Sequence, residues 1–329
     1  MRSLYISQSG CALSLKQEQV LIKQGQDLLD QAQLPMLEQI LIFGQSQVTT
    51  QLVRACLYRN IPIVYLSRMG RCYGRLLPIE RGYRSLARQQ QALSTGDRLS
   101  VAKAIVRAKV KNGRVLLQRQ YRRVESATLK DVIEQLSSLV GQIEQADAIE
   151  RLMGFEGAAA ACYFRVFGEC LTSESFSFQT RSRQPPLDPV NAMLSFGYQV
   201  LWNHLLSLIE LQGLDPYEAC LHQGSERHAA LASDLVEEFR APLVDSLVLY
   251  LVNSSIVSVD TDFDYPAGAC YLNEEGRRKF LRAFLQRMEE PLATADGLQP
   301  RWDLLNRQVK LFKQFVSNPA LGYKPYLIR

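Results

Sequence analysis

The hydrophobic periodicity of the chain changes near residue 90, and this change constrains the fold more than any other feature. Before it, short runs rich in β-branched and aromatic residues alternate with turn signals, as strands do. After it, apolar residues recur with helical spacing. We therefore predict an α+β fold class, with a small β-rich N-terminal domain over residues 1–90 and a larger all-α domain over residues 91–329.

The first ninety residues predict five strands and one helix. The strands are expected at 3–7, 12–15, 19–23, 39–44 and 62–67. The segment 49–60 predicts a helix between the last two strands. Thr49 or Thr50 is the expected N-cap, since a threonine hydroxyl accepts a hydrogen bond from the first turn of a helix.

The remainder of the chain predicts seven helices. They are expected at 98–123, 128–146, 148–171, 188–213, 228–253, 274–291 and 301–317. Three of the starts are marked by capping residues, namely Thr128, Asp188 with Pro189 after it, and Asn273. The polar, proline-containing stretch 172–187 predicts a mobile loop.

The composition is that of a globular protein and excludes several classes. The chain is 47% hydrophobic and 22% charged, which suits a full-sized core. No apolar run approaches about 18 residues, so a membrane span is not expected. The N-terminus lacks the pattern of a signal peptide. The seven cysteines are odd in number and form no C-x-x-C pair, which predicts reduced thiols in a cytoplasmic protein.

Positive charge is concentrated in two adjacent runs. Nine basic residues and no acidic one lie from Arg98 to Arg123, and six arginines with one acid lie from Arg68 to Arg88. Such runs suit a phosphate-binding face, because neutralised phosphates release their condensed counterions. A solvated helix face is the alternative. The candidates for DNA contact are Arg68, Arg71, Arg75, Arg84, Lys103, Arg107, Lys111 and Arg114.

The segment LHQGSERHAALASDLVEEFR (221–240) combines His222 with several carboxylates. Asp234 and Glu237 are three residues apart and share one face of the predicted helix. Glu238 points about 100° away from Glu237, so it is expected to face solvent or a neighbouring arginine. Taken alone, this pattern favours the polar side of a surface helix over a metal site.

Glu156 stands within GFEGAAAACYF (154–164), whose small residues predict a deeply packed helix. A carboxylate there needs a partner, which could be Arg151 or Arg165, a polar network or a metal ion. One Glu, one His and one further acid on separate helices provide the hard ligands with a single imidazole that suit Mg²⁺ or Mn²⁺ better than zinc. Beside a basic surface, such a set suggests phosphodiester chemistry.

Five blocks of the sequence, in order and spacing, resemble the universal CRISPR-associated integrase of spacer acquisition. They are CLYRNIPIVYLSRMGRCYGRLLP, GFEGAAAACYF, PPLDPVNAMLSFGYQVLWNHL, GLDPYEACLHQGSERHAALASDLVEEFRAPLVD and DFDYPAGACYLNEEGRRKFL. The resemblance covers nearly the whole chain. It implies a metal-dependent DNA endonuclease and integrase of CRISPR adaptation, which joins 3′-hydroxyl ends of captured fragments to the repeat array by transesterification.

The resemblance also implies the residues of the catalytic site. Glu156, His222 and Glu237 are the implied ligands of Mg²⁺ or Mn²⁺, and Asp234 is a second acid near the metal. The chain has SERHAAL where the family has a Gly-Arg-x-Ser-like stretch, so the loop after His222 is not predicted. Residues given no ligand role are Asn191 and Tyr198, which flank the site, the bystanders Glu226, His228 and Glu238, and His204, a core histidine.

The implied partners are double-stranded and branched DNA, a second copy of the chain, and a small CRISPR-associated protein. The homodimer would form through the N-terminal domain, and two dimers would join a partner dimer in a heterohexamer-like complex, with no membrane involved. Two alternatives stay open. One is a non-catalytic DNA-binding scaffold of a CRISPR complex, with the acids in a salt network. The other is a branched-DNA repair nuclease that does not integrate.

Overall fold

Within residues 3–68, 70–78, 83–224, 228–294 and 297–328, which the computed structural model describes, there are twelve strands and ten α-helices. The strands are β1 (Ser3–Ile6), β2 (Ala12–Lys16), β3 (Gln19–Gln24), β4 (Asp27–Gln33), β5 (Gln39–Phe43), β6 (Gln47–Val48), β7 (Ile63–Leu66), β8 (Cys72–Leu76), β9 (Phe263–Asp264), β10 (Tyr271–Leu272), β11 (Pro291–Thr294) and β12 (Gly297–Pro300). The helices are α1 (Thr50–Tyr58), α2 (Tyr83–Gln91), α3 (Thr95–Tyr121), α4 (Ala127–Glu144), α5 (Ile149–Phe167), α6 (Pro189–Leu211), α7 (Ala230–Val236), α8 (Ser246–Asn253), α9 (Glu274–Glu289) and α10 (Arg301–Ser317).

The chain divides into two compact units, and each is built from two stretches of sequence. The strand-rich unit is Met1–Arg81 with Leu272–Asp303, and the helical unit is Gly82–Tyr271 with Leu304–Arg329. The predicted α+β fold class is confirmed. The segment Leu272–Asp303 belongs with the N-terminal strands, although the sequence placed it in the helical domain. Helical periodicity shows which face of a helix is buried, but not the element that buries it.

Two four-stranded sheets and α1 form the N-terminal part of the strand-rich unit. The first sheet has the order β1-β5-β7-β8, with β8 antiparallel to β7 and the other pairs parallel. The second has the order β4-β3-β2-β6. Strand β5 is buried along its whole length, as expected for an apolar strand inside a parallel sheet. Both sheets and α1 contribute to one hydrophobic cluster, which includes Ile6, Leu13, Ile22, Ile40 and Leu52.

The second stretch of the strand-rich unit has its own aromatic packing. The rings of Phe284 on α9 and Trp302 on α10 pack edge to face, with centroids 5.9 Å apart. The indole nitrogen of Trp302 donates to Glu289 at 3.1 Å. The antiparallel hairpin of β11 and β12 joins these two helices.

The helical unit is built around α3 and α6. Helices α3, α4 and α5 pack on one another, and α6, which is buried over most of its length, packs on α7. Within the described residues, no helix is long and apolar enough to cross a membrane. Helices α3 to α7 form a packed bundle.

Capping residues explain where several helices begin. The predicted N-caps Thr49, Asp188 and Asn273 are confirmed, since each side chain accepts a backbone N–H of the first turn. Thr128 was the wrong cap for α4. The hydroxyl of Ser126 accepts the N–H of Leu129 at 3.2 Å instead, and the helix begins one residue earlier than predicted.

The helix predicted over 228–253 is interrupted. α7 ends at Val236, and a π-helix runs over Arg240–Asp245 before α8. Pro242 has no N–H to donate to the carbonyl of Glu238, four residues earlier. The side-chain amide of Asn112 on α3 donates to that carbonyl at 2.8 Å. Short π-helical stretches are frequent at functional sites.

The sequence predicted neither α2 nor seven of the described strands, among them β4 and β8. The two strands form the outer edges of their sheets, where one side needs no strand partner and apolar alternation is weak. Strand β4 is exposed along nearly its whole length. Helix α2 has few apolar residues, and its sequence YRSLARQQQ is mostly polar.

Candidate metal centre

Two glutamates from different elements meet one lysine in the helical unit. Glu156 of α5 and Glu237, in the turn after α7, both form ion pairs with Nζ of Lys109 on α3. The distance from Nζ to Glu237 Oε2 is 2.6 Å. Arg240 lies on the other side of the Glu237 carboxylate, 3.0 Å from Oε1. The predicted arginine partners of Glu156 are engaged elsewhere, since Arg151 and Arg165 bind Asp147 and Gln135.

A glycine sets the spacing at which Lys109 reaches Glu156. A Cβ on Gly113 of α3 would lie 3.2 Å from the ring of Tyr163 on α5, tighter than an ordinary contact. Gly113 follows Lys109 by four residues, and Tyr163 follows Glu156 by seven, so each pair shares a helix face. The absence of a side chain at Gly113 therefore lets α3 and α5 approach.

The small residues around Glu156 are not deeply packed, so that prediction was wrong. Gly154 and Gly157 are exposed, and a Cβ on either would have no atom within 4 Å. The side chain of Glu156 is 24% exposed, whereas that of Glu237 is 2% exposed. The carboxylate pair is thus open to solvent at Glu156 and buried at Glu237.

Glu237 carries a negative charge in buried surroundings. Burial by itself raises its pKa, but the positive charges of Arg240 and Lys109 outweigh this and lower the pKa to about 2. The oxygen Oε2 of Glu237 lies 2.6 Å from the Lys109 ammonium and has room for a further donor or cation. An ionised, buried oxygen with spare acceptor capacity fits the needs of a cation ligand.

Asp234 organises the loop that carries His222. Its buried carboxylate accepts the backbone N–H groups of Cys220, Leu221 and His222 at 2.7, 2.9 and 2.9 Å. Nδ1 of His222 lies 2.8 Å from Oδ1 of the same carboxylate. The proton on Nδ1 therefore points at Asp234, which leaves Nε2 for another partner. Burial lowers the pKa of His222, but the hydrogen bond and charge of Asp234 outweigh it and raise the pKa.

The His222 loop is also held from α2 and α3. The side chain of Gln90 donates to the carbonyl of Glu218 at 2.6 Å. Arg98 donates to the carbonyl of Ala219 at 2.7 Å. Arg98 began the basic run in the sequence, and in the structure it fixes this loop.

Tyr198 connects α6 to the arginine beside Glu237. Its hydroxyl donates to Asp245 at 2.6 Å, and the hydroxyl of Tyr163 donates to the same carboxylate at 2.8 Å. Burial raises the pKa of Asp245 and of both tyrosines. The guanidinium of Arg240 lies 4.7 Å from the centre of the Tyr198 ring. This cation–π contact and the ion pair together fix the position of the arginine.

Asn191 ties the stretch 172–187 to α6. Its side-chain oxygen accepts from Arg181 at 2.7 Å, and its side-chain nitrogen donates to the carbonyl of Thr180 at 2.8 Å. Phe176 is buried. The stretch has no regular structure, as predicted, but it is fastened at several points.

Glu238 is not a solvent-facing bystander, so that prediction was wrong. It is fully buried, and its carboxyl group accepts from the Tyr323 hydroxyl at 2.5 Å, Gln308 at 3.0 Å and the Tyr326 N–H at 2.6 Å. Burial raises the pKa of Glu238 to about 8, although these donors oppose the shift. Glu238 therefore fastens the segment 323–328 beside Glu237.

The other histidines lie as the sequence predicted. His204 on α6 is fully buried, and burial lowers its pKa to about 3. His228 is exposed and stacks on the ring of Trp202. Glu226 lies outside the described residues.

The eight predicted DNA-contacting residues are divided between the two units. Arg68, Arg71 and Arg75 belong to the strand-rich unit, and the helical unit contains Arg84, Lys103, Arg107, Lys111 and Arg114. Three of the α3 side chains bond to α4, which the sequence did not predict. Lys103 donates to the Glu144 carbonyl, Arg107 to the Glu144 carboxylate and Arg114 to Ser137, at 3.0, 2.7 and 2.8 Å. Their contact with DNA stays a prediction.

Two of the three predicted ligands converge on a cation that the protein itself supplies. In the part of the chain that the structure describes, no three His, Cys, Asp or Glu side chains stand close enough together to hold a metal ion. Glu156 and Glu237 instead converge on Lys109. His222 lowers the pKa of Glu237 electrostatically. Two carboxylates and one imidazole nitrogen are donors that suit Mg²⁺ or Mn²⁺, so these residues fit the implied metal.

Solved structures of CAS1 and casposase proteins share the fold of this chain. A CAS1 protein from Thermotoga maritima is 26% identical, with a TM-score of 0.81 and 97% of each chain covered. A casposase bound to integration product is 21% identical and shares the fold, with a TM-score of 0.82 over 97% of this chain and 91% of that one. A Cas6-RT-Cas1–Cas2 complex gives 25% identity and a TM-score of 0.80 over 97% of this chain and 35% of that one.

Sequence comparison gives the family. The family model described as CRISPR associated protein Cas1 matches residues 4–286. CRISPR-associated endonuclease Cas1 3 of Thermus thermophilus is 34% identical over 330 residues, which cover 99% of this chain and 95% of the relative. The chain therefore belongs to the Cas1 family, and the resemblance inferred from the five sequence blocks is confirmed.

Proposed function

We propose that this chain is a metal-dependent DNA endonuclease and integrase of CRISPR adaptation, which joins 3′-hydroxyl ends of captured fragments to the repeat array by transesterification. The observation that carries the proposal is the convergence of Glu156 and Glu237 on one cation. The imidazole that Asp234 orients adds a third donor in the same unit. Membership of the Cas1 family and a relative named as an endonuclease support the assignment.

Each residue has a task that follows from its contacts. Glu156, Glu237 and Nε2 of His222 would hold Mg²⁺ or Mn²⁺, which when bound supplies activation of an oxygen nucleophile and stabilisation of phosphate charge. Asp234 holds the Nδ1 proton of His222, so Nε2 keeps a lone pair. Arg240, fixed on the Tyr198 ring, keeps a positive charge beside Glu237, where it favours the binding of a phosphate.

We further propose double-stranded and branched DNA as substrates, a homodimer formed through the N-terminal domain, and assembly with a small partner of the Cas2 type. A similar chain has been solved in a Cas6-RT-Cas1–Cas2 complex, which supports the partner. The exposed side chains of Arg71 and Arg84 support DNA binding. All seven cysteines are free thiols, which suits the cytoplasm.

A strand-transfer assay tests the proposed function. The purified chain is combined with the Cas2-type partner, Mg²⁺ or Mn²⁺, a fragment with 3′-hydroxyl ends and a plasmid that carries the repeat array. We expect Glu156→Gln, His222→Ala and Glu237→Gln to bind DNA but to lose both strand transfer and cleavage of branched DNA. Glu150→Gln is the matched control, because Glu150 is an exposed glutamate on the same helix as Glu156.

The same assay separates the alternatives. Full strand transfer by the Glu156 or Glu237 variant would overturn the assignment of that residue. Metal-dependent cleavage of branched DNA without integration would identify a repair nuclease. DNA binding without any turnover, in the presence of the partner and metal, would identify a scaffold.

A further inference from the structure

We propose that Lys109 is a built-in counter-cation, which holds Glu156 and Glu237 together in the metal-free chain and is displaced when a divalent cation binds to them. The inference rests on the proposed metal site. It gives Lys109 a positioning role, because the ammonium keeps both carboxylates aimed at one point. It also makes Lys109 a competitor that sets how tightly the site binds metal.

The position of Lys109 on α3 requires an acidic partner for its charge. It lies six positions after Lys103, so its side chain is about 120° around the helix from that of Lys103. It is at least as far around the helix from Arg107, Lys111 and Arg114. It shares its own face with the buried residues Ile105 and Leu116. A lysine on a buried face is costly unless its charge is paired. Lys109 meets this requirement through the two glutamates.

The charges of the cluster balance without metal. Glu156 and Glu237 supply two negative charges, and Lys109 and Arg240 supply two positive ones in contact with them. A divalent cation added to this set would leave two uncompensated positive charges next to each other. Like charges at contact distance repel strongly where water is partly excluded. One of the two side-chain cations is therefore expected to leave.

Lys109 is the cation that can move. Arg240 is fixed twice, by its ion pair with Glu237 and by the ring of Tyr198, 4.7 Å from the guanidinium. Lys109 is held by the same two carboxylates that the metal would take. Its side chain is 16% exposed and its stem is flexible, so the ammonium can turn towards water.

Displacement of Lys109 by a metal ion predicts a pair of effects that the other roles of this lysine do not predict. Removal of the Lys109 charge should weaken the metal-free fold and strengthen metal binding at the same time. If Lys109 were a structural anchor only, its removal would weaken both. If Lys109 served only to contact DNA phosphates, its removal would leave metal binding in the absence of DNA unchanged.

The test is a titration of the full chain with Mn²⁺ by isothermal calorimetry, without DNA. We expect Lys109→Met to bind Mn²⁺ about tenfold more tightly than the wild type, because an adjacent positive charge has been removed. In EDTA the same variant should have a lower Tm, and saturating Mn²⁺ should raise its Tm by more than it raises that of the wild type. Lys111→Met is the matched control, since it removes one positive charge from the same helix.

Further variants separate the failure of this inference from that of the proposed function. If the wild type binds no Mn²⁺, or Glu237→Gln binds it as well as the wild type, the proposed metal site is wrong. If Glu237→Gln loses Mn²⁺ binding but Lys109→Met binds with equal or lower affinity, the counter-cation role is wrong and the metal site stands. Lys109→Gln, which keeps a donor to the carboxylates without the charge, provides the same comparison if Lys109→Met does not fold.

Discussion

Two adjacent glutamates show how surroundings decide the state of a carboxylate. Glu237 is buried between two positive side chains, and its pKa is lowered to about 2 despite burial. Glu238 is buried among neutral donors, and burial raises its pKa to about 8. The sequence separates the two by helix angle, but the partners of Glu238 are Gln308, Tyr323 and Tyr326, which lie 70 to 88 positions further along the chain. Local spacing could not predict that environment.

Lys109 lies between the two glutamates of the candidate site, and the sequence did not predict it there. It lies inside the run of nine basic residues, and it is not among the four residues of that run predicted to contact DNA. Its position in the helix carried the missing signal. A lysine about 120° around the helix from Lys103, among Ile105, Leu116 and other apolar residues, predicts a buried charge that needs an acidic partner.

The Asp234 side chain gives a residue-scale prediction. In Asp234→Asn, one acceptor oxygen becomes an N–H group that faces backbone donors now bound to the carboxylate. We expect the free energy of unfolding to fall by about 1–3 kcal/mol, because buried donors lose their acceptor. Strand transfer should fall by about 10–100-fold as the His222 ring loses its orientation. Urea denaturation and the strand-transfer assay measure the two effects, with the exposed Asp131→Asn as control.

Wild-type stability and activity in Asp234→Asn would contradict the orienting role of this carboxylate. Loss of stability without any loss of activity would restrict Asp234 to holding the loop.

The burial of His204 leads us to expect that the free energy of unfolding depends on pH. Burial lowers the pKa of its imidazole from 6.5 to about 3, so the folded chain excludes a proton that the unfolded chain binds between these values. The contribution of His204 is therefore fully present above about pH 6.5 and is lost as the pH falls towards 3, at about 1.4 kcal/mol per pH unit. We expect His204→Leu to reduce this slope in urea denaturation between about pH 4 and 6. The exposed His228→Gln should keep the wild-type slope, and an unchanged slope in His204→Leu would refute the prediction.

At the scale of the elements, the sequence predicted most of the helices but only five of the twelve described strands. The five predicted strands lie within one residue of β1, β2, β3, β5 and β7. Helices α3 to α6 lie within a few residues of their predicted spans, because long amphipathic segments and caps are strong local signals. The edge strands β4 and β8 were missed, since an exposed edge needs no regular apolar pattern. Pro242 was visible in the sequence, but the turn that it causes depends on Asn112 of α3, which the pattern around the proline does not contain.

Asn112 of α3 binds both the turn after α7 and the segment 323–328, and we expect its removal to weaken both contacts. Its side-chain nitrogen donates to the carbonyls of Glu238 and Tyr326 at 2.8 and 3.0 Å, and its oxygen accepts the N–H of Ile328 at 3.0 Å. In Asn112→Ala, these buried groups lose their partner. We expect the free energy of unfolding to fall by about 1–3 kcal/mol. The segment 323–328 should also be released.

Chymotryptic cleavage at Tyr326 under native conditions measures that release. It should be faster in Asn112→Ala than in the wild type or in the control Asn318→Ala, whose side chain is exposed. Equal cleavage rates in all three would show that other contacts, such as the stack of Phe239 on Tyr326, are sufficient to hold the segment.

The division of the chain into two units is the feature that the sequence pattern predicts least well. The chain leaves the helical unit after Tyr271, contributes α9 and a hairpin to the strand-rich unit, and returns at Leu304 within α10. Each of these helices was predicted from its own periodicity. Their assignment to different units depends on contacts between residues far apart in the chain, such as that of Gln308 on α10 with Glu238, 70 positions earlier, and periodicity does not encode such contacts.

Exposed arginines on both units lead to a prediction about the salt dependence of DNA binding. Arg71 and Arg84 are exposed, one on each unit, whereas Lys103 and Arg107 are bound to Glu144. Each phosphate contact contributes about 0.9 to the slope of log K against log salt concentration. We therefore expect the double variant Arg71→Gln with Arg84→Gln to reduce the magnitude of that slope by about 1.8. Lys103→Gln with Arg107→Gln should reduce it by less, because Glu144 already neutralises part of that charge.

Fluorescence anisotropy with a labelled duplex at several KCl concentrations measures both slopes. A larger loss from the α3 pair would show that DNA displaces Glu144 and binds the face that carries Lys103.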